Sequence, residues 1–457
     1  MSLRLSALIE NKSIAFSIVS QIVSLGVSVL MTVGVTRYLS VELYGYWQLF
    51  VFYVSYIGFM HFGLCDGLYL RYGGVSFDKL SASEVKSFFV IFITLQIIFA
   101  ALLFVFGTSL YSDIYRQNII KYLSVLLIIA NSQIFFGFIL LSANRIIEYS
   151  ISVFIDKILM LLLIILLIIF NKVTVDHLMT SYIFSKIISV VYLLKFYSPF
   201  IKAKLLFDKK IIYLVFQSGF VLMLSNIIST LVIGVGRYFV DVNWDIATFG
   251  KVSLSVSLVY FVLLLLSQLS YILFPVLRNN SEERQVYIFN NINRLLGLLL
   301  KISVLLYFPL MVGLKYFLPN YIESINYILL LLPLCLFDGK MQILYSSFFK
   351  NLYLQKELLY INILCMCICL LFSFVGSIVY HNIEIVLIGI SISIIIRSVI
   401  AEYILMKKLN DISLRSTVID IIFSVIIISS YFFSVDFFLF FLLILLLTVS
   451  YRVKYAN

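Results

Sequence analysis

Apolar runs long enough to cross a lipid bilayer follow one another along this 457-residue chain with little between them. A spanning helix needs about 20 such residues. The sequence predicts spans at 13–36, 46–66, 87–108, 122–142, 150–170, 177–195, 211–236, 252–274, 295–315, 325–347, 357–379, 383–406, 416–434 and 437–451, the last two close enough for a tight hairpin. Hydrocarbon offers no partner for open backbone N–H and C=O groups, so spanning segments are helices or closed barrels. Barrel strands alternate apolar and polar residues. The run from Leu159 to Phe170, all Leu, Ile, Met and Phe, does not. Hydrophobic residues make up 63% of the chain and charged ones 12%, against about half and a quarter in soluble domains. A water-soluble globule, a disordered chain and a secreted disulfide scaffold are excluded. The first run, Ser13 to Val35, follows Arg4 and Lys12 and is longer than a signal-peptide core, so it reads as a retained span. The expected fold is an all-α polytopic membrane protein of about 14 transmembrane helices.

Charge orients these helices. Lys and Arg number 33 against 22 acids, a net +11. Nucleic acid is not the implied partner, because cytoplasmic loops of membrane proteins collect Lys and Arg. If the spans alternate as predicted, 21 of the bases lie on the side of the N-terminus and 7 opposite. Both termini are then expected in the cytoplasm. The longest connections fall near 196–210 and 275–294, so no soluble catalytic domain is inserted. The most basic stretch, Lys195 to Lys210, separates the first six spans from the next six. The expected division is an N-terminal lobe at 1–200, a C-terminal lobe at 201–410 and an extra helix pair at 411–457.

A repeat supports two lobes. Gly34-Val-Thr-Arg37-Tyr38 closes the first predicted span and Gly234-Val-Gly-Arg237-Tyr238 the seventh, 200 residues later. Each is followed by an aromatic-Gly step, Tyr44-Gly45 and Phe249-Gly250, that opens the next span. Parallel repeats of this kind build transporters that rock about a midplane cavity. Two six-helix lobes around a central cavity are expected.

Catalytic signatures are missing. His61, His177 and His381 stand at span ends, with no HExxH and no glycine-rich phosphate loop. The protein is expected not to be an enzyme and to need no cofactor. Asp241 and Asp245 read as a solvated outer loop. Cys365, Cys367 and Cys369 lie in an apolar helix with no His or acid near to complete a metal shell, so no metal site is expected.

Charges within the spans are more informative, since each is costly in hydrocarbon and faces a cavity or a partner. Lys186, Lys340 and Arg397 are about eight or more residues from either end of their spans, ~12 Å deep at 1.5 Å per residue. Lys157 and Lys301 are shallower and can snorkel. Asp156, Asp338 and Glu402 are the deep acids, with Asp66 and Asp420 near edges. Five bases against three acids suggest a cationic interior suited to a phosphate or pyrophosphate. Internal ion pairs, such as Lys186 with an acid on a neighbouring helix, are the alternative. Arg37 and Arg237 of the repeat join the candidate substrate-binding set. Asp66, Asp156, Asp338 and Glu402 are candidates for coupling protons or sodium. Pro275, Pro309 and Pro333 are expected to end or kink spans eight to ten. Trp47, Trp244 and many Tyr near span ends fit interfacial belts.

Four segments resemble one family in chain order. Arg37-Tyr-Leu-Ser-Val-Glu-Leu-Tyr-Gly45 resembles the signature after the first span of polysaccharide flippases of the multidrug/oligosaccharidyl-lipid/polysaccharide exporter superfamily. Phe62-Gly-Leu-Cys-Asp-Gly-Leu-Tyr-Leu-Arg71-Tyr resembles its end of span two, and Ile272-Leu-Phe-Pro275-Val-Leu its exit from span eight. Gly313-Leu-Lys-Tyr-Phe-Leu-Pro-Asn-Tyr321 resembles its loop before span ten, with the Gly-to-Tyr step stretched. The resemblance implies a bacterial inner-membrane protein that exports an undecaprenyl-pyrophosphate-linked oligosaccharide to the outer leaflet. O-antigen flippases are the most similar in look. Membrane lipid, a polysaccharide polymerase and a chain-length regulator are the implied partners. A drug or cation exporter of the same superfamily, an O-antigen polymerase and a peptidoglycan-precursor flippase are the alternatives.

Overall fold

The structure, a computed structural model, describes residues 23, 26–28, 31–278, 281–304, 307–409 and 415–433. Among these, every regular element is helical. The end of the first helix, α1, covers 31–38. It is followed by α2 (Val41–Ile57), α3 (Leu64–Tyr72), α4 (Ala82–Leu102), α5 (Ile114–Ser142), α6 (Ile146–Ile169), α7 (Val175–Ile201), α8 (Lys209–Asn243) and α9 (Ile246–Arg278). Then come α10 (Glu282–Val304), α11 (Tyr307–Phe317), α12 (Ile322–Leu331), α13 (Pro333–Lys340), α14 (Ser346–Asn351), α15 (Gln355–Phe374), α16 (Ile383–Leu409) and α17 (Arg415–Phe433). Among the described residues, eight helices are long and apolar enough to span a membrane, and ten if two bent pairs count as one span each. Shorter apolar stretches at Ile246–Phe261 and Ser416–Phe432 add to them. Helix thus occupies most of each predicted span from the second to the thirteenth and the described part of the first; the rest of the first, and the fourteenth at 437–451, lie outside the described residues.

Side-chain caps mark many helix starts. Ser40, Ser81, Asp113, Thr174, Asp208 and Asp245 each accept a backbone N–H two or three residues on, satisfying donors the helix leaves open.

Several helices run past their apolar limits. α8 continues to Asn243, so Arg237 and Asp241 are helical, and Asp241 is buried instead of lying in a solvated loop. Asp245 is the cap of α9. The predicted connection at 275–294 is largely helix: α9 continues through Pro275 to Arg278, and α10 starts at Glu282. Hydropathy marks where a helix leaves lipid, not where its hydrogen bonds stop. The polar turns from Glu282 to Arg294 persist outside the apolar stretch for that reason.

Two spans are broken. At Pro333 the pair Pro319–Leu331 and Pro333–Asn351 bends by 49°, as a proline that removes a helix donor should cause. The second span bends by 57° between Val41–His61 and Leu64–Tyr72 without any proline. Phe62 (φ 52°) and Gly63 (φ 79°) turn left-handed there. The break frees backbone carbonyls, and buried amides take them. Asn131 Nδ2 donates to Ile57 O at 3.0 Å and to Gln96 Oε1 at 2.6 Å, while Gln96 Nε2 donates to Met60 O at 3.1 Å. Such side chains make broken backbone tolerable inside a membrane protein. Close backbone approach holds the break from outside: a Cβ on Gly219 of α8 would lie 1.9 Å from Gly63 O.

The chain forms two compact units, one of Met1–Thr230 with Asp245–Gly250, the other of Leu231–Trp244 with Lys251–Asn457. In the first, α5 is central, packed on α2, α3, α4, α6 and α7. Its core holds Phe88, Phe92, Phe135, Phe136, Tyr197 and Phe200. The two repeat glycines meet here: a Cβ on Gly45 would lie 2.1 Å from Ile246 O, and one on Gly250 2.9 Å from Gly45 Cα. In the second unit, α16 is central, packed on α12, α13 and α15.

Candidate functional site

The buried charges gather around Asp156 and Asp66 in the first unit and around Asp420, Asp338 and Glu402 in the second. In the first, Lys186 on α7 reaches Asp156 Oδ2 on α6 at 2.7 Å and Gln133 Oε1 on α5 at 2.8 Å. Ser185 Oγ donates to Asp156 Oδ1 at 2.9 Å. Gln133 Nε2 donates to Ser189 Oγ at 2.7 Å, and Ser189 Oγ donates to Ser152 O at 2.8 Å. Lys and Ser at 185, 186 and 189 share one helical face, so three helices are tied by one chain of polar contacts. A buried charge is tolerable only when paired and hydrogen-bonded in this way. Lys157, next to Asp156, is half-buried.

Asp66 is buried in the first turn of α3, just after the break in span two. His61 Nε2 lies 3.7 Å from its Oδ2, while His61 Nδ1 accepts Gly63 N–H at 3.1 Å. Close by, the Arg71-Tyr72 motif closes on α4: Arg71 makes contacts of 3.0–3.2 Å with the Glu84 carboxylate, and Tyr72 OH donates to it at 3.0 Å.

The second unit joins charges from α10, α13, α16 and α17. Asp420 on α17 lies between two lysines, with Lys301 Nζ 2.5 Å from Oδ1 and Lys340 Nζ 2.6 Å from Oδ2. Arg397 on α16 pairs with Asp338 on α13. Tyr260 OH and Gln342 Nε2 donate to Asp338 Oδ2 at 2.7 and 2.6 Å. Glu402, wholly buried, is held by neutral groups. Tyr345 OH donates to it at 2.9 Å and Asn293 Nδ2 at 3.1 Å, and Thr417 Oγ1 also donates.

The expected surplus of buried positive charge is therefore corrected. Lys186, Lys301, Lys340 and Arg397 each touch a carboxylate, which is the ion-pair alternative. The difference lies in Asp420. It is only five residues into its predicted span, an edge position by sequence, yet it is almost fully buried and holds two lysines. Arg37 is exposed at the end of α1. Arg237, its repeat partner, donates from its guanidinium to Ser253 Oγ at 2.9 Å. The structure thus brings Lys301, Lys340, Arg397, Asp338 and Glu402 into one unit and Lys186 with Asp156 into the other, with Lys157 beside that pair, and leaves Arg37 exposed. Gln133, Asn293, Tyr345 and Thr417 were not read from sequence; polar residues in apolar runs were the available signal. The cysteines behave as helix-packing residues: Cys365 and Cys369 point inward and Cys367 outward. No group of three metal-ligating side chains occurs among the described residues.

No family model matches the chain, and no curated protein matches it. Solved structures do. An inward-facing multidrug-resistance MATE-family transporter of the MOP superfamily aligns over 85% of this chain and 98% of its own, with TM-score 0.63 and 12% identity. The lipid II flippase MurJ in an inward closed conformation aligns over 97% of this chain and 99% of its own, with TM-score 0.58 and 16% identity. An outward-facing MATE-family transporter covers 88% and 97%, with TM-score 0.55 and 13% identity. The chain has the all-helical membrane fold of these transporters.

Proposed function

We propose that the protein is a flippase of the multidrug/oligosaccharidyl-lipid/polysaccharide exporter superfamily. It moves an undecaprenyl-pyrophosphate-linked O-antigen or related polysaccharide repeat unit from the cytoplasmic to the outer leaflet by alternating access, without covalent chemistry. The observation that carries this reading is the Lys301–Asp420–Lys340 cluster. One carboxylate holds two lysines, so a phosphate oxygen can draw Lys340 away and leave Asp420 paired with Lys301. Lys186 and Arg397 are bound more tightly to their places, because removing either strands a buried carboxylate, a change that costs about 3–5 kcal/mol. The alignment with the lipid II flippase MurJ over 97% of this chain supports a lipid-linked substrate.

Net export needs a ligand or ion that binds the two conformations differently. Asp156 and Asp338 are already committed to Lys186 and Arg397. Coupling therefore falls to Glu402, whose described partners are neutral, and to Asp66 beside His61. Deletion of the gene followed by lipid analysis tests the function. Undecaprenyl-linked single repeat units should accumulate on the cytoplasmic leaflet. Accumulation of unpolymerised units outside would assign a polymerase, and an unchanged lipid profile with increased sensitivity to organic cations would assign a drug exporter.

A further inference from the structure

The basic stretch that divides the two sets of spans does more than mark a boundary. Residues 202–208 connect α7 to α8 and contain no helix. Both neighbours are spanning helices, so this connection lies at a membrane surface. Its sequence is Lys202-Ala-Lys204-Leu205-Leu206-Phe207-Asp208-Lys209-Lys210. All four lysines are exposed. So are Leu205, Leu206 and Phe207, at 49%, 53% and 52%.

Three consecutive exposed apolar residues in a water-facing loop are a fault unless something covers them. This loop cannot fold them away, because its backbone is pinned. Lys86 Nζ, at the start of α4, donates to Ala203 O at 2.8 Å, and Leu206 N–H donates to Ser87 Oγ at 2.7 Å. Asp208 Oδ1 accepts the Lys210 and Ile211 N–H groups at 2.8 and 3.3 Å, which commits the single acid to capping α8. The same end of the unit carries more cation–aromatic contacts. Arg145 lies 4.7 and 4.8 Å from the Phe77 and Phe196 rings, and Lys195 lies 3.9 Å from Tyr192. Such residues collect where hydrocarbon meets headgroups.

We infer that residues 202–210 form an interfacial anchor: Leu205, Leu206 and Phe207 enter the acyl boundary while Lys202, Lys204, Lys209 and Lys210 bind anionic phospholipid headgroups. Apolar insertion and charge attraction reinforce each other in segments of this composition. The anchor is independent of what the protein transports.

The test places a tryptophan at the loop in Phe207→Trp, with the full-length protein in nanodiscs of mixed phosphatidylcholine and phosphatidylglycerol. Acyl-brominated versions of each lipid are compared at equal bulk fraction, with the parent protein's fluorescence subtracted. Brominated phosphatidylglycerol should quench at least twofold more than brominated phosphatidylcholine, within the roughly fivefold enrichment one lysine gives at an anionic surface. A Leu162→Trp control on exposed α6 should show no preference. The preference should vanish in about 0.5 M salt, where the screening length falls to a few ångströms, and in the Lys202→Gln, Lys204→Gln, Lys209→Gln, Lys210→Gln combination. Equal quenching by both lipids, quenching by neither, or a preference that survives loss of the four lysines would overturn the anchor. Leu205→Trp serves as a second reporter should Phe207→Trp not fold.

Discussion

Asp420 shows how much rests on one side chain. Two ammonium groups lie 2.5 and 2.6 Å from its carboxylate in a buried setting. Replacing it by asparagine removes the carboxylate both lysines share, which should lower stability by about 3–5 kcal/mol. A fall in the thermal midpoint of the detergent-solubilised protein measures this. Adding Lys340→Met to Asp420→Asn should recover part of the loss, because one uncompensated charge is then gone. An unchanged midpoint in the single variant would show that the cluster is not held as described. Lys186 and Asp156 allow the same comparison in the other unit. Lys186→Met alone should be strongly destabilising, whereas Lys186→Met with Asp156→Leu should lie near the parent, since replacing a whole buried pair by apolar groups is often neutral. A double-mutant cycle that gave additive losses would contradict the pair. These residues were visible in sequence as charges in apolar runs. Their partners were not, because pairing depends on how helices distant in sequence pack together.

Broken spans show what periodicity can and cannot register at the scale of an element. Pro333 announced its kink, since a missing N–H is written into the residue. The bend at Phe62 and Gly63 was not announced, because an apolar run with two isolated glycines, Gly58 and Gly63, scans as continuous helix. Its signature lay elsewhere, in Gln96 and Asn131, two buried amides with no evident purpose in their own helices. Asn131→Leu removes the donor to Ile57 O and Gln96 Oε1, leaving buried acceptors that each cost about 1–3 kcal/mol. Hydrogen exchange should accelerate at the amides near residues 57–67 and stay unchanged in α15 and α16. Uniform acceleration throughout would mean that the break is not separately held. Gly219→Ala should disturb the same segment from the α8 side, because its new methyl would meet Gly63 O.

For the whole molecule, hydropathy was enough to place the helices among the described residues, while loop charge predicts their alternation. Hydropathy misjudged lengths, because Glu282–Arg294 and Tyr238–Asn243 carry helix beyond the apolar limit. The predicted alternation can be checked by labelling. In a Cys367→Ser background, whose remaining cysteines are buried, Lys204→Cys and Ser281→Cys should react with an impermeant maleimide from one side. Lys172→Cys should react from the other. Reaction of positions 204 and 281 from opposite sides would remove either α8 or α9 as a full span.

The bridging position of Asp420 also dictates an order of assembly. Synthesis proceeds from the N-terminus, so Lys340 leaves the ribosome 80 residues ahead of Asp420, and Lys301 earlier still. Both lysines therefore enter the translocation machinery before their shared carboxylate exists. They must wait in a hydrated or shielded state, and the second unit cannot close around them until α17 has been made. The penultimate predicted span is then the latch of biogenesis, and a nascent chain stopped before Arg415 is a natural substrate for membrane quality control.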